Sequence, residues 1–385
     1  MPIVFPSRKL LAVIVAVLVI ALIAYEVSDR LEAGAKIPEF RYISLQEELG
    51  TQFDPGSIQA FGYNNTSLLI SGLGPYNKST DSSLPNLEEI DSLNIQPGKN
   101  MDSAISEYFG LGSVFGTNWN GSAWLLTGQL SYGDVNVGSV VSYEGNRFTN
   151  LTPRFSTYFQ RGGAWIDGWN GSAWIVAGNS DNRASLVEYS HGSVVNLTGL
   201  LGNTPVGSWI QFVLWNGSAW FLGGHLIFGF LNGDRYTNLL SLSPFADSGA
   251  LSGLYVDGEW IIGGGPPAGA VIVKGQSITE AFHPPAYLNM WINGIADFNG
   301  YIFLGGKGMT DTGLIHPALY IYRSLSSLNN PVNQSAEIPA SFNGGQIQFM
   351  ETIDFQGVQS LFIAGQGNYN EETGYSTGAL CQVLA

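Results

Sequence analysis

One hexapeptide constrains this chain more than any other feature. Trp-Asn-Gly-Ser-Ala-Trp occurs three times, starting at Trp119, Trp169 and Trp215, and each copy runs into an apolar stretch that closes on glycine, at Gly128, Gly178 and Gly224. Weaker copies start at Tyr63, Val256, Phe298 and Phe355, which makes seven units at intervals of 41 to 57 residues. A repeat of that period is one supersecondary unit that cannot bury its apolar face alone, so neighbouring units must stack.

The unit at 162–201 reads as four short strands, AWIDGW, SAWIVAG, SLVEYS and SVVNLT. Asn170-Gly171 and His191-Gly192 punctuate them, and Asn-Gly between apolar runs is the pair that a two-residue type I′ hairpin turn demands. Four antiparallel strands repeated around an axis are propeller blades. The expected fold is all-β: a seven-bladed β-propeller of four-stranded antiparallel blades over residues 38–385. No extended helical periodicity follows residue 27. The seventh unit has three strands, while FRYISL at 40–45 aligns with the fourth strands NRFTNL at 146–151 and DRYTNL at 234–239. Residues 39–48 are therefore expected to complete the last blade, closing the ring and removing an exposed edge. The 50 glycines among 385 residues become turn and close-packing chemistry on this reading.

Residues 10–25, LLAVIVAVLVIALIAY, carry no charge and show no polar face. Extended by a residue or two, the stretch reaches the length a bilayer requires. We expect one N-terminal transmembrane signal-anchor helix at 10–27, with 1–9 cytoplasmic and 28–37 a tether; a cleaved signal peptide is the alternative. Arg8 and Lys9 precede the stretch, so the positive-inside rule places the propeller outside the cell membrane. Entry through a fourth strand puts the anchor on the face holding the first hairpin turns. The opposite, top face then points away from the membrane and carries the loops of variable length, as a recognition face does.

The Gly-Gly endings Gly223-Gly224, Gly263-Gly264 and Gly305-Gly306, with Tyr143, Tyr189 and Tyr320 on the next strand, resemble the kelch superfamily. Four units carry a single glycine there, and the second kelch Trp is not regularly placed, so the resemblance is to a divergent kelch-like protein. It implies a propeller that hosts either a binding module or a galactose-oxidase-like enzyme, so it leaves function open. That enzyme needs a Cys joined to a Tyr and two His on copper, whereas Cys381 is the single cysteine and has no His near it in sequence.

Charge narrows the function further. Fifteen Lys+Arg against 30 Asp+Glu give −15, which argues against nucleic acid as a partner. One Cys and four scattered His provide no metal-ligand spacing, and no cofactor is expected. Candidate ligand-binding residues are Trp165, Trp209 and Trp291, early in first strands near the channel mouth, where they either stack on a flat ligand or pack. Trp124, Trp174, Trp220 and Trp260 recur at one core position. Arg154, Tyr158 and Arg161 precede the third unit and form either an anion clamp or a solvated loop; Tyr108 lies ahead of the second. His225, His283 and His316 fall near top loops, and no carboxylate or nucleophile stands at a telling spacing from them. Glu88, Glu89 and Asp91 read as a solvated acidic loop. Nine sequons, at Asn64, Asn65, Asn77, Asn120, Asn150, Asn170, Asn196, Asn216 and Asn333, can carry glycan on an exported domain; turn chemistry alone explains Asn120, Asn170 and Asn216.

The leading expectation is a membrane-anchored extracytoplasmic, non-catalytic binding module for a glycan, peptide or envelope protein. One alternative is an exported polysaccharide hydrolase or lyase, which needs two carboxylates roughly 5–10 Å apart. Another is a structural component of the cell envelope. Low charge and the lack of disulfides suit a prokaryotic, including archaeal, cell surface.

Overall fold

Runs rich in aromatic and β-branched residues, such as WIVAGNS at Trp174–Ser180, form strands because such side chains pack well on a pleated surface. A computed structural model describes residues 37–49, 52–54, 56–77, 82–91, 98–132, 135–266, 269–282, 290–309, 315–325, 331–355, 357–370 and 375–385. The chain divides into two compact units, 1–39 and 40–385. Only 37–39 of the first are described, and they form neither helix nor strand. The expected anchor at 10–27 lies outside the described residues, as do 1–9 and 28–36. Among the described residues no helix is long and apolar enough to cross a membrane.

The second unit is a seven-bladed β-propeller, with seven four-stranded antiparallel sheets. Blade three shows the pattern: Gly163–Trp169, Trp174–Ser180, Arg183–Ser190 and Ser193–Asn196 pair in sequence order. In blade seven, Gln346–Phe355, Val358–Asn370 and Tyr375–Leu384 are joined by Arg41–Ser44, with Arg41 opposite Leu384 and Ser44 opposite Cys381. The first strand of each repeat unit, Gln346–Phe355 in blade seven, is the innermost.

The core lies between blades. Phe221 of blade four meets Phe228 and Phe230 edge-on and packs 5.3 Å from Trp260 of blade five. Trp124, Trp174, Trp220 and Trp260 are all buried. Burying one such side chain stabilises by about 1.5–3 kcal/mol, which is why stacked blades hold together without disulfides.

Two local expectations need correction. The Asn-Gly loops are not two-residue type I′ turns. Trp119 pairs with Trp124 across four residues, and so do Trp169 with Trp174 and Trp215 with Trp220. Only the glycines, Gly121, Gly171 and Gly217, take positive φ there. The asparagine acts through its side chain: Asn170 Oδ1 accepts from Ser172 N–H (2.9 Å), Ser172 Oγ (2.9 Å) and Ala173 N–H (2.8 Å). Asn120, Asn216 and Asn64 do the same. Turns with positive φ at both central residues occur elsewhere, at Gly145-Asn146, His191-Gly192 and Asp257-Gly258.

The second correction concerns helices. Short helical turns follow fourth strands at Gln46–Leu49, Asp102–Phe109, Thr152–Phe155, Thr198–Leu201, Leu240–Leu242 and Ala340–Phe342. Most bury an apolar plug, such as Leu49, Phe109, Phe155 or Phe342. One or two turns are too short for a 3.6-residue period to register.

Candidate functional site

Each inner strand carries one extra residue at the same level of the ring. In blade three, Ala164 pairs with Gly178 and Ile166 with Ala177, so Trp165 has no partner and forms a β-bulge. Every other blade repeats the arrangement. The unpaired residues are Gln59, Phe115, Trp165, Gln211, Leu251, Asn293 and Gln348. A bulge bends its strand and re-aims the extra side chain. All seven line a central cavity of about 810 Å³.

The same bulges explain why every repeat closes on glycine. The residue paired just before the bulge faces Gly72, Gly128, Gly178, Gly224, Gly264, Gly306 or Gly365. A Cβ on six of these would stand 1.7–2.2 Å from an inner-strand carbonyl oxygen, and on Gly264 2.5 Å from the Phe245 ring and 2.6 Å from Gly249 O, just ahead of the inner strand. Only glycine lets the displaced inner strand approach so closely.

The ring of bulge residues mixes amides with apolar groups and has no formal charge. Gln348 Oε1 and Trp165 Nε1 have no hydrogen-bond partner. Gln59 Nε2 donates to Ser57 Oγ at 2.7 Å, and Asn293 Nδ2 donates to Ile347 O at 3.1 Å. Carboxylates lie elsewhere on the cavity wall, at Asp167, Asp297 and Glu351, and among the described residues no Lys, Arg or His lines it. Asp167 is only 2% exposed. Its Oδ1 accepts from Thr127 Oγ1 of blade two at 2.9 Å, while Oδ2 has no partner. Burial pushes its carboxyl up to about 7, against the hydrogen bond from Thr127. Burial also pushes Glu351 up to about 7 and raises Asp297. Removing a carboxylate from water disfavours its charged form in each case.

The structure brings three of the candidate residues together. Trp165 and Trp209 meet edge-on at 5.8 Å, and Trp209 stacks on His225 at 4.5 Å. This aromatic track runs from the cavity wall between blades three and four. His225 Nδ1 is held 2.8 Å from Gly207 O. Trp291 stands apart, with Lys307 Nζ 5.2 Å above its ring, and His316 is exposed on the third strand of blade six.

The arginine clamp does not form. Arg154 donates to Gly192 O in the outer turn of blade three. Arg161 faces Asp181 at 4.0 Å on the surface. Tyr158 packs against the core between blades two and three, as Tyr108 does between one and two. His283 lies outside the described residues. The acidic loop is also corrected: Glu88 is buried on the strand Ser82–Asp91, where burial pushes it up to about 8. Glu89 accepts from Ser67 Oγ and Tyr143 OH. No metal-binding group of His, Cys, Asp and Glu occurs among the described residues.

Seven sequon asparagines have structural duties. Asn64, Asn120, Asn170 and Asn216 build the first hairpin loops, as described. Asn150, Asn196 and Asn333 end fourth strands, each accepting the N–H two residues on at 2.9 Å. Asn65 takes positive φ in its turn.

Sequence reasoning singled out Trp165 but missed the other six bulge residues. They occupy a steady place in the repeat but share no residue type, so only pairing across the sheet exposes them.

No protein-family model and no curated protein matches the chain. Solved structures do. The peptide-bound structure described as "YCF48 bound to D1 peptide" aligns with a TM-score of 0.55 at 10% identity, covering 91% of this chain and 97% of that one. The β-propeller domain of the Trilobed protease from Pyrococcus furiosus aligns at 0.41 and 12% identity, covering 72% and 83%. At 10% identity the likeness to the YCF48 structure shows the β-propeller fold.

Proposed function

We propose that this chain is a membrane-anchored, extracytoplasmic, divergent kelch-like propeller that binds a polypeptide ligand at the mouth of its central cavity. The observation that carries the reading is the ring of seven bulge residues. Amides at Gln59, Gln211, Asn293 and Gln348 offer the donors and acceptors that a peptide backbone seeks. Phe115, Trp165 and Leu251 offer apolar area between them, and pockets of this mixed kind orient ligands by a few polar groups. The Trp165–Trp209–His225 track extends the surface outward with rigid rings, which lose little conformational entropy on binding. That a propeller of the same fold holds a peptide, as the YCF48 structure does, agrees with this use. Anchoring rests on the uncharged stretch 10–25 behind Arg8 and Lys9.

The test is a peptide array probed with the full chain. Peptides retained by the wild type are expected to be lost with Trp165→Ala combined with Gln211→Ala, and kept with Val195→Ser on the exposed outer strand of blade three. No retained peptide, or equal retention by all three proteins, overturns the reading. Anchoring is tested separately: the full chain is expected in the membrane pellet after carbonate extraction, and a variant lacking 1–27 in the supernatant.

A further inference from the structure

We infer that the folded chain accepts N-linked glycan at four asparagines, Asn64, Asn120, Asn170 and Asn216, at the other end of the inner strands from the bulge ring. The inference rests on the export half of the function proposed above, because sequon asparagines are modified on exported domains. The first hairpins of blades one to four turn through four residues, from Tyr63 to Leu68, Trp119 to Trp124, Trp169 to Trp174 and Trp215 to Trp220, and each loop holds an Asn-x-Ser/Thr sequon. Those of blades five and six turn through two residues and hold none. In each four-residue loop Oδ1 accepts from the N–H and the hydroxyl two residues on, at 2.8–3.0 Å. Hydrogen bonds to that oxygen stabilise negative charge on the amide, so Nδ2 gives up a proton more readily. Nδ2 itself has no partner in any of the four and is not a buried atom, so it reaches solvent. The hydroxyl residues Thr66, Ser122, Ser172 and Ser218 are exposed. A Cβ on Gly121, Gly171 or Gly217 would meet nothing within 4 Å, which leaves room for a sugar beside the asparagine.

Asn150, Asn196 and Asn333 satisfy the same sequence rule with a different geometry. Their hydroxyls turn inward: Thr152 Oγ1, Thr198 Oγ1 and Ser335 Oγ accept the N–H of Val140, Leu186 and Leu319 at 3.1, 2.9 and 3.0 Å. The motif demands that hydroxyl, and in the folded chain it is committed to the third strand of its blade. Ser67, which serves Asn65, is buried and donates to Glu89 Oε1 at 2.9 Å. Turn chemistry uses Oδ1 of the four loop asparagines and leaves Nδ2 idle, which is the atom a transferase needs. In the transfer, Nδ2 loses one proton and bonds to C1 of the sugar. The bond from C1 to a phosphate oxygen of a lipid-linked glycosyl diphosphate breaks, and the proton leaves with that diphosphate.

The experiment uses the full chain, produced in cells without N-glycosylation and purified folded in detergent. It is incubated with a single-subunit oligosaccharyl transferase that reads Asn-x-Ser/Thr and a lipid-linked glycosyl diphosphate, and peptide mass spectrometry reads occupancy at each sequon. We expect Asn64, Asn120, Asn170 and Asn216 to be occupied at least about tenfold more than Asn150, Asn196 and Asn333. Synthetic peptides spanning 192–202 and 329–339 should accept glycan in the same reaction, which ties their refusal in the chain to the fold. Equal occupancy of the two groups overturns the inference, as does glycan confined to Asn150, Asn196 and Asn333, or none on the chain while the peptides react. Refusal of the peptides as well as of their sites in the chain also overturns it, since sequence and not geometry would then select. Export is read separately, by protease digestion of intact expressing cells: a propeller protected inside the cell overturns the export reading and leaves the acceptor geometry standing.

Discussion

Gly178→Ala tests the account of the bulge ring most directly. The added Cβ would stand 2.0 Å from Gly163 O and 2.9 Å from Trp165 N, all backbone atoms that no rotamer change can move aside. Relief requires the inner strand of blade three to retreat by more than an ångström. Overpacking of this kind costs about 1–3 kcal/mol, and a ladder hydrogen bond lost in the retreat adds about 1 kcal/mol. We therefore expect a loss of about 2–4 kcal/mol. Two controls separate sterics from backbone conformation. Gly171→Ala has open space but φ of +93°, so it carries only the left-handed strain, about 1–2 kcal/mol. Gly199→Ala has open space and ordinary φ, so it should be neutral or stabilise by up to about 1 kcal/mol. Urea unfolding followed by tryptophan fluorescence gives the midpoints, and hydrogen exchange shows whether protection falls locally in 163–180. If Gly178→Ala behaves like Gly199→Ala, the close approach is not what selects glycine and the explanation of the repeat fails.

Other measurements follow from the same structure. The folded Asp167 carboxyl titrates near 7, far above an unfolded carboxyl, so the folded state holds the extra proton in between and stability falls as pH climbs from about 4 to about 7. Thermal unfolding should find Asp167→Asn more stable than wild type at pH 8.5, by up to a few kcal/mol, and equal to it near pH 4; equal stability at both would refute the burial argument. Asn170→Ala strips three hydrogen bonds from its loop and should cost about 1–2 kcal/mol in urea, whereas Asn170→Asp keeps the acceptor and should cost less than half of that. Cys381 is buried and its thiol is pushed up to about 12, so Ellman's reagent should leave it unmodified in the native protein and react in urea.

Much of the fold was legible because it is local. Each blade is built from neighbouring hairpins, so the spacing of Trp119, Trp169 and Trp215 exposed the period, and burial of Trp124, Trp174, Trp220 and Trp260 followed from their constant place in it. The helical plugs were not legible, because four residues such as Thr152–Phe155 carry no period. Turn geometry misled for a related reason: Asn-Gly serves a two-residue turn or a four-residue loop equally, and the pairing of Trp169 with Trp174 decides which. Glu88 looked like a surface acid because the sequence around it is acidic, yet strand pairing turns it inward.

By itself, then, the sequence determined the repeat, the four-stranded unit and the number of blades, since these depend on hydrophobic alternation and turn residues within some fifty positions. Tertiary structure alone decided the site. Gln59, Trp165, Gln211 and Gln348 lie on different blades and share no motif; only a bulge in each inner strand, at one height of a closed ring, turns them toward a common space. The same closure sets Asp167 of blade three against Thr127 of blade two and buries its second carboxyl oxygen without a hydrogen-bond partner. The energy of such a group depends on what surrounds it in three dimensions, which the order of residues along a chain does not contain.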